Sequence, residues 1–319
     1  MLVFGIYPGG EAGSDQGIAI GPPDDPVRVN HALIELAGSS KPFVVRVYQR
    51  FGETPRHFGQ YLGDGRLLDL VVMFQSAAGD VNGFSDFVRS MVREQGPELY
   101  SIQIAEEPNF VSGPKCIDGP YPRVREALVL GVMAAKDEAR RMGLAVNVGF
   151  NATPTLGPAA EFWTSLAALG GSTFIDCLDY VGLDFFPDVF RAVAPDGEEG
   201  DLKSSVIHIV ETMRETWLPS AGIPASVPIH IAENGWPTGP RRSEQRQSVV
   251  LETIIRTLYH VRQRFNIARY TMFALRDADS SNLEVESNIF YHFGLMRDDY
   301  TPKPAFETFR NLIAELGPA

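Results

Sequence analysis

The sequence predicts an α/β fold, a single (β/α)8 TIM barrel over residues 1–319, on three observations. Short β-branched runs alternate with amphipathic helical stretches, which is the pattern of parallel βαβ units. Eight such runs occur in 319 residues, about 40 per unit, which suits one strand, one helix and two loops. No Gly-, Ser- or Pro-rich linker is long enough to divide the chain, and no low-complexity tract or helical-hairpin repeat interrupts it.

The runs are residues 2–7, 42–48, 67–74, 99–105, 144–150, 180–186, 228–232 and 269–275. The clearest helix is expected over 122–142, where Val124, Leu128, Val132, Ala135 and Ala139 recur at helical spacing. Pro122 stands near its start and Gly143 just past its end, the usual asymmetry of helix termini. The longest interruptions, residues 110–121 and 187–202, each follow a strand. They are therefore expected at the C-terminal face, where such barrels keep their binding loops.

Composition narrows the function. With 28 basic and 40 acidic side chains the formal charge is −12, which disfavours a nucleic-acid partner because phosphate backbones call for a basic face. Arg241, Arg242 and Arg246 read as a solvated loop and helix start. At 44% hydrophobic and 21% charged residues, the chain can build a large core without disulfides or a structural metal. No run nears the roughly 20 apolar residues of a membrane span, and no membrane partner is expected. Met1 leads into an apolar run without a basic segment, so no targeting signal is read and a cytoplasmic location is expected. A secreted protein with its leader removed would read the same way. Cys116 and Cys177 have neither zinc nor disulfide-framework spacing, and two unpaired thiols are expected.

Motifs for metal, phosphate or serine chemistry are missing: there is no His-Glu-x-x-His, no Gly-x-Ser-x-Gly and no Walker-type loop. The segment from Gly9 to Gly13 carries Glu11, with Asp15 close behind, and reads as a plain loop rather than an anion cradle. The six histidines show no ligand spacing, and neither metal nor organic cofactor is expected.

Two carboxylates stand out. Glu107 lies in Glu106-Glu107-Pro108-Asn109 at the end of the fourth run, and Glu233 opens Glu233-Asn234-Gly235-Trp236-Pro237 at the end of the seventh. An acid at the mouth of a barrel strand costs desolvation free energy unless it is hydrogen-bonded or used. Either one alone could be a helix cap or a loop acid. Together they lie 126 residues apart, three units of about 42, which puts them on the same rim. Period-two reading makes Gln103, Ala105 and Glu107 inward-facing, and likewise Ile229, Ile231 and Glu233.

These segments resemble the retaining β-glycosidases built on (β/α)8 barrels, whose acid/base glutamate ends strand four and whose nucleophilic glutamate ends strand seven. Glu107-Pro108 matches the end of that clan's Asn-Glu-Pro motif, and the run from Glu233 to Pro237 is similar to the nucleophile segment of β-glucanases. Phe293-Gly294-Leu295-Met296 followed by Lys303-Pro304-Ala305-Phe306 is similar to the clan's last strand-to-helix passage. The resemblance implies a glycoside or oligosaccharide substrate, with Glu107 as general acid/base and Glu233 as nucleophile. It places Arg46 beside the nucleophile, the alternative being a rim salt bridge. Glu106, Asn109, Asp184 and Trp236 become substrate-binding candidates, Trp236 as a stacking platform. Phe185, Phe186 and Phe273 are either core or subsite, and Arg276 and Asp277 are given a structural role. The chain departs from the clan at Glu106, where Asn is usual, at Asp184 and Phe186, where His and Tyr are common, and at Phe273, where Trp is common. A glutamate at 106 suits a 2-hydroxyl or 2-ammonium donor on the sugar, unless it turns outward to a Lys or Arg. One rival reading is a carbohydrate-binding barrel without catalysis. Another is a barrel enzyme for phosphorylated metabolites, which lacks a Gly-rich phosphate loop near the seventh and eighth runs. The oligomeric state stays open.

Overall fold

A computed structural model describes residues 1–13, 18–154, 160–190, 199–282 and 289–318. Eight parallel strands close a barrel in sequence order: β1 (Val3–Ile6), β2 (Phe43–Arg50), β3 (Arg66–Met73), β4 (Leu99–Ile104), β5 (Asn147–Ala152), β6 (Tyr180–Asp184), β7 (Ile229–Asn234) and β8 (Ile267–Met272), with β8 pairing back onto β1. Each expected run overlaps one of these strands. The fifth starts three residues later than expected, because Gly143 ends the preceding helix in a left-handed conformation (φ 67°), its N–H donating to the carbonyls of Ala139 and Arg140. Residues 144–146 are then used as the connection.

Around the barrel lie α1 (Pro26–Ala37), α2 (Val81–Gln95), α3 (Val124–Met142), α4 (Ala160–Ile175, broken at Gly171), α5 (Glu199–Thr212), the short α6 (Leu218–Ser220), α7 (Glu244–Phe265) and α8 (Pro304–Leu316). Their starts are written in side chains. Asp25 accepts from the N–H groups of Val27 and Arg28 ahead of α1, Asp80 from Gly83 ahead of α2, and Ser243 from Arg246 ahead of α7. None of these helices is long and apolar enough to cross a membrane, among the described residues. Both cysteines are free and buried.

The two faces of the strands carry different chemistry. Leu68, Leu70 and Val72 of β3 join a shell of apolar side chains that includes Leu33, Phe84 and Val88 of the helices. Between them, Asp69 points into the barrel and meets charge. Its Oδ2 accepts from Arg46 Nη1 and Arg269 Nη2, both at 2.8 Å, and Ser101 Oγ donates to Oδ1 at 2.5 Å. Burial pushes the Asp69 carboxyl up, but the two guanidiniums outweigh it and hold the group at about 2. Barrel interiors are commonly filled by branched apolar residues. Here a charged layer lies beneath the rim, tolerable because each ion is paired and hydrogen-bonded.

Candidate active site

The end of β4 is built by residues far from it. Beyond Ile104 the chain leaves the extended region: Ala105 (φ 66°) and Glu107 (φ 46°) are both left-handed, a conformation costing roughly 1–3 kcal/mol at a non-glycine residue unless its surroundings hold it. Asp118, in the 110–121 insertion, supplies part of that hold. Its carboxylate accepts from Glu106 N at 2.8 Å, Phe74 N at 3.0 Å and Gln75 N at 3.0 Å. Asn151 Oδ1 accepts from Glu107 N at 2.9 Å, and Asn109 exchanges two hydrogen bonds with the Thr153 backbone at 2.9 and 3.0 Å. The expected register of Gln103, Ala105 and Glu107 therefore stops at the strand end. Glu106 and Glu107, consecutive in sequence, both line the cavity.

The register expected for β7 is also corrected. Ile229 and Ile231 belong to the apolar shell, whereas His230 stacks on Tyr180 with ring centroids 4.1 Å apart, over which Arg269 lies from the interior. Leu183 pairs with Ile231 but Asp184 pairs with Glu233, so Ala232 is an extra residue in β7. This bulge hands the inward place to Glu233, which would otherwise follow Ile231 toward the helices.

Arg46 of β2 ties the cluster together. Its Nε donates to Tyr48 Oη at 2.8 Å and to Glu233 Oε1 at 3.2 Å, its Nη1 to Gln103 Oε1 at 3.0 Å, and its Nη2 to Glu106 Oε2 at 3.1 Å. Tyr48 Oη in turn donates to Glu233 Oε1. Glu106 thus turns neither outward nor freely toward the cavity: Arg46, Gln103 Nε2 at 2.7 Å and Asn151 Nδ2 at 3.1 Å all converge on its Oε2. Asn151 Nδ2 also donates to Asp184 Oδ2.

Burial and the charge of Glu233 push Glu107 up to about 8, against the pull of Arg46. Glu106 and Asp184 are likewise raised, first by burial and then by Glu233. Asp118 rises to about 6 through burial, opposed by its three backbone donors. Glu106, Asp184 and Glu233 are, among the described residues, the grouping with metal-ligand geometry, their oxygens within 4.8 Å of one another. Arg46 already occupies an oxygen of two of them.

These groups open into a cavity of about 1340 Å³ whose lining includes Tyr7, Tyr48, Phe58, Phe186 and Phe273. Tyr7 stacks on Phe273 at 5.2 Å and meets Tyr48 edge-on at 5.3 Å. Phe185 joins the apolar shell and also lines the cavity, as do Phe186 and Phe273. Trp236 does not. It is 3% exposed, its Nε1 donates to the Asp188 carbonyl at 3.2 Å, and the Arg242 guanidinium lies 4.8 Å from its ring centroid. The expected platform is thus a packed wall element. Arg242, expected in solvent, is half-buried over it and reaches the carbonyls of Asp188 and Val189. Arg276 and Asp277 orient loops, Arg276 pairing with Asp24 at 2.7 Å and Asp277 with Lys303 at 2.7 Å. Asp15 and residues 191–198 of the second insertion lie outside the described residues. Sequence reading missed Tyr48, Gln103 as a hydrogen-bond partner of Arg46 and Glu106, Asn151 and Asp118. For Tyr48 a signal existed, since it shares the inward parity of Arg46 on β2.

No family model matches the chain, and no curated protein matches its sequence. Its fold is similar to that of solved glycosidases. A family 1 β-glucosidase from Thermotoga maritima superimposes with a TM-score of 0.64 at 13% identity, covering 100% of this chain and 98% of that one. A β-glucuronidase from Ruminococcus gnavus, solved with uronic deoxynojirimycin, gives 0.61 at 12% identity, over 98% of this chain and 49% of that one. A GH2 β-galacturonidase from Eisenbergiella tayi, bound to galacturonate, gives 0.62 at 13% identity, over 93% of this chain and 48% of that one. At such identity the likeness is one of fold.

Proposed function

We propose that the chain, as one catalytic domain, is a retaining glycoside hydrolase that cleaves a β-glycosidic bond by double displacement. The observation that carries the reading is the unequal treatment of two carboxyls in one cavity. Glu107 is raised to about 8 and keeps its proton near neutrality, whereas Glu233 accepts from Arg46 and Tyr48. The first is suited to give a proton and the second to attack.

Both described donors reach Oε1 of Glu233, which leaves Oε2 as the oxygen to bond the anomeric carbon. Glu107 passes its proton to the departing glycosidic oxygen. Once Glu233 is an ester its charge is gone, and with it one of the two causes that raise Glu107. Glu107 then becomes the stronger acid and, deprotonated, the base that activates water for the second displacement. The reaction runs through the two carboxyls and calls for no metal or organic cofactor. The size of the cavity, above the roughly 300–1,000 Å³ usual for small-ligand sites, suits an oligosaccharide or a glycoside with a sizeable aglycone.

Proton NMR of aryl β-glycoside hydrolysis tests the reading, with the β-anomer expected as the first sugar formed. First appearance of the α-anomer would replace it with an inverting mechanism. Sugar binding without turnover would leave the non-catalytic barrel.

A further inference from the structure

Two carboxyls suffice for the reaction proposed above, yet the cavity floor holds two more. Glu106 and Asp184 are 5% and 1% exposed, and their oxygens lie within 4.8 Å of those of Glu233. Asp69 is shared between Arg46 and Arg269, so of these two cations about one unit of positive charge remains for Glu106, Glu107, Asp184 and Glu233. Of the other arginines lining the cavity, Arg276 meets Asp24, and Arg50 and the largely exposed Arg56 share Glu53. The donors within the cluster are also used up. Arg46, Gln103 and Asn151 converge on Oε2 of Glu106, Asn151 also serves Oδ2 of Asp184, and Oδ1 of Asp184 is buried with no donor, its carboxyl lying against that of Glu106.

We propose that this site takes a sugar carrying an ammonium group on carbon 2, a β-linked 2-amino-2-deoxyglycoside, with the ammonium held between Asp184 and Glu106. The proposal rests on the glycosidase reading and names its substrate class. Carbon 2 is singled out because it is the carbon bonded to the one Glu233 attacks, and Glu106 and Asp184 are the acids grouped with Glu233. An ammonium offers three donors and a positive charge, which would let these two buried, raised carboxyls ionise and accept together. A 2-hydroxyl offers one donor and no charge, leaving a buried carboxylate unpaired or protonated. An acetamido group adds a carbonyl acceptor where acceptors already crowd, and an anionic sugar adds like charge.

The test compares kcat/KM of the wild-type protein on aryl β-glycosides of glucosamine, N-acetylglucosamine, glucose and glucuronic acid, with the galacto-configured amine and alcohol as a second pair. In the favoured configuration the amino sugar should lead its hydroxyl counterpart by at least about tenfold. Asp184→Asn and Glu106→Gln should each shrink that ratio by about tenfold, whatever they do to the absolute rate. Turnover of neutral or anionic sugars at equal or higher kcat/KM overturns the proposal and leaves the glycosidase reading standing. Loss of activity in chelator, restored by Ca²⁺ or Mg²⁺, also overturns it, because a metal ion would then fill the cluster. If no glycoside is turned over, calorimetric binding decides. Tighter binding of glucosamine than of glucose, weakened in Asp184→Asn, upholds the ammonium site without the hydrolase; equal or absent binding overturns it.

Discussion

The backbone N–H of Glu106 ends 2.8 Å from Oδ2 of Asp118, twelve residues further along the chain. That contact, with the two from Phe74 and Gln75, lets one buried carboxylate fix the exits of β3 and β4 together. Asp118→Asn replaces one accepting oxygen by an NH2 that faces a backbone donor. Leaving a buried donor unpaired costs about 1–3 kcal/mol, and it should show as a lower melting temperature. Because the same donors position Glu106 and Glu107, kcat/KM should fall at least about tenfold as well. A variant that is less stable but fully active would show that the clamp serves folding alone.

Glu107 links activity to pH. Its proton is needed for the first displacement, so kcat/KM should decline as pH rises through about 8. Glu107→Gln should remove that limb for substrates with good leaving groups. The sign for stability follows from the same shift. The folded protein holds the Glu107 proton up to about 8, while the unfolded chain releases it near the ordinary glutamate value of 4.5. The folded state is therefore favoured by this group at low pH, and the benefit is lost as pH rises from about 4.5 to about 8. The melting temperature of the wild type should fall more steeply over that window than that of Glu107→Gln, and parallel curves would contradict the raised value.

Strands were readable because β-branched runs and helix stops such as Gly143 are local, and the spacing of Glu107 and Glu233 is a count along the chain. The facing of β7 was not. A strand buried on both sides has no polar face to set its parity, so Ile229 and Ile231 read equally well as inward or outward, and the bulge at Ala232 leaves no mark in the sequence. Asp118 and Asn151 were hidden for another reason. Their importance lies in contacts across 12 and 44 residues, which no periodicity reports. Trp236 was misread because its place beside Glu233 in sequence says nothing of which way the ring turns after the strand ends.

Azide separates the two glutamates. Glu233→Ala should lower turnover on the order of 10⁴-fold or more. Azide should then enter from the vacated face and give a glycosyl azide of inverted configuration. Glu107→Ala should still form the glycosyl-enzyme from substrates with good leaving groups, and azide should intercept it with retention. Product NMR reads the difference, and the same anomer from both variants would sink the role assignment.

Tyr48 is the donor that the sequence reading overlooked. Its hydroxyl and Arg46 Nε both reach Glu233 Oε1, so removing the hydroxyl should leave the nucleophile held by the arginine alone. A hydrogen bond to a charged group contributes about 1.5–3 kcal/mol, and Tyr48→Phe should lower kcat by about ten- to hundredfold with little change in KM. A rise in KM with kcat intact would mean that the hydroxyl binds sugar rather than orienting Glu233.

The walls of the cavity give the last prediction. Phe273 and Tyr7 stack at its edge, whereas Trp236 is covered by Arg242 and tied to Asp188. Stacking on a sugar face needs an accessible ring, so Phe273→Ala should raise KM by about tenfold through loss of apolar contact. Phe273 is also part of the smaller apolar cluster with Phe293, and a lower melting temperature is expected alongside. Trp236→Phe keeps most of the packed volume and loses one hydrogen bond, for about 0.5–1.5 kcal/mol of stability. It should leave KM near the wild-type value. Were Trp236→Phe to raise KM as strongly as Phe273→Ala, the ring would have to reach the sugar in the complex, and the Asp188 and Arg242 contacts would have to open when substrate binds.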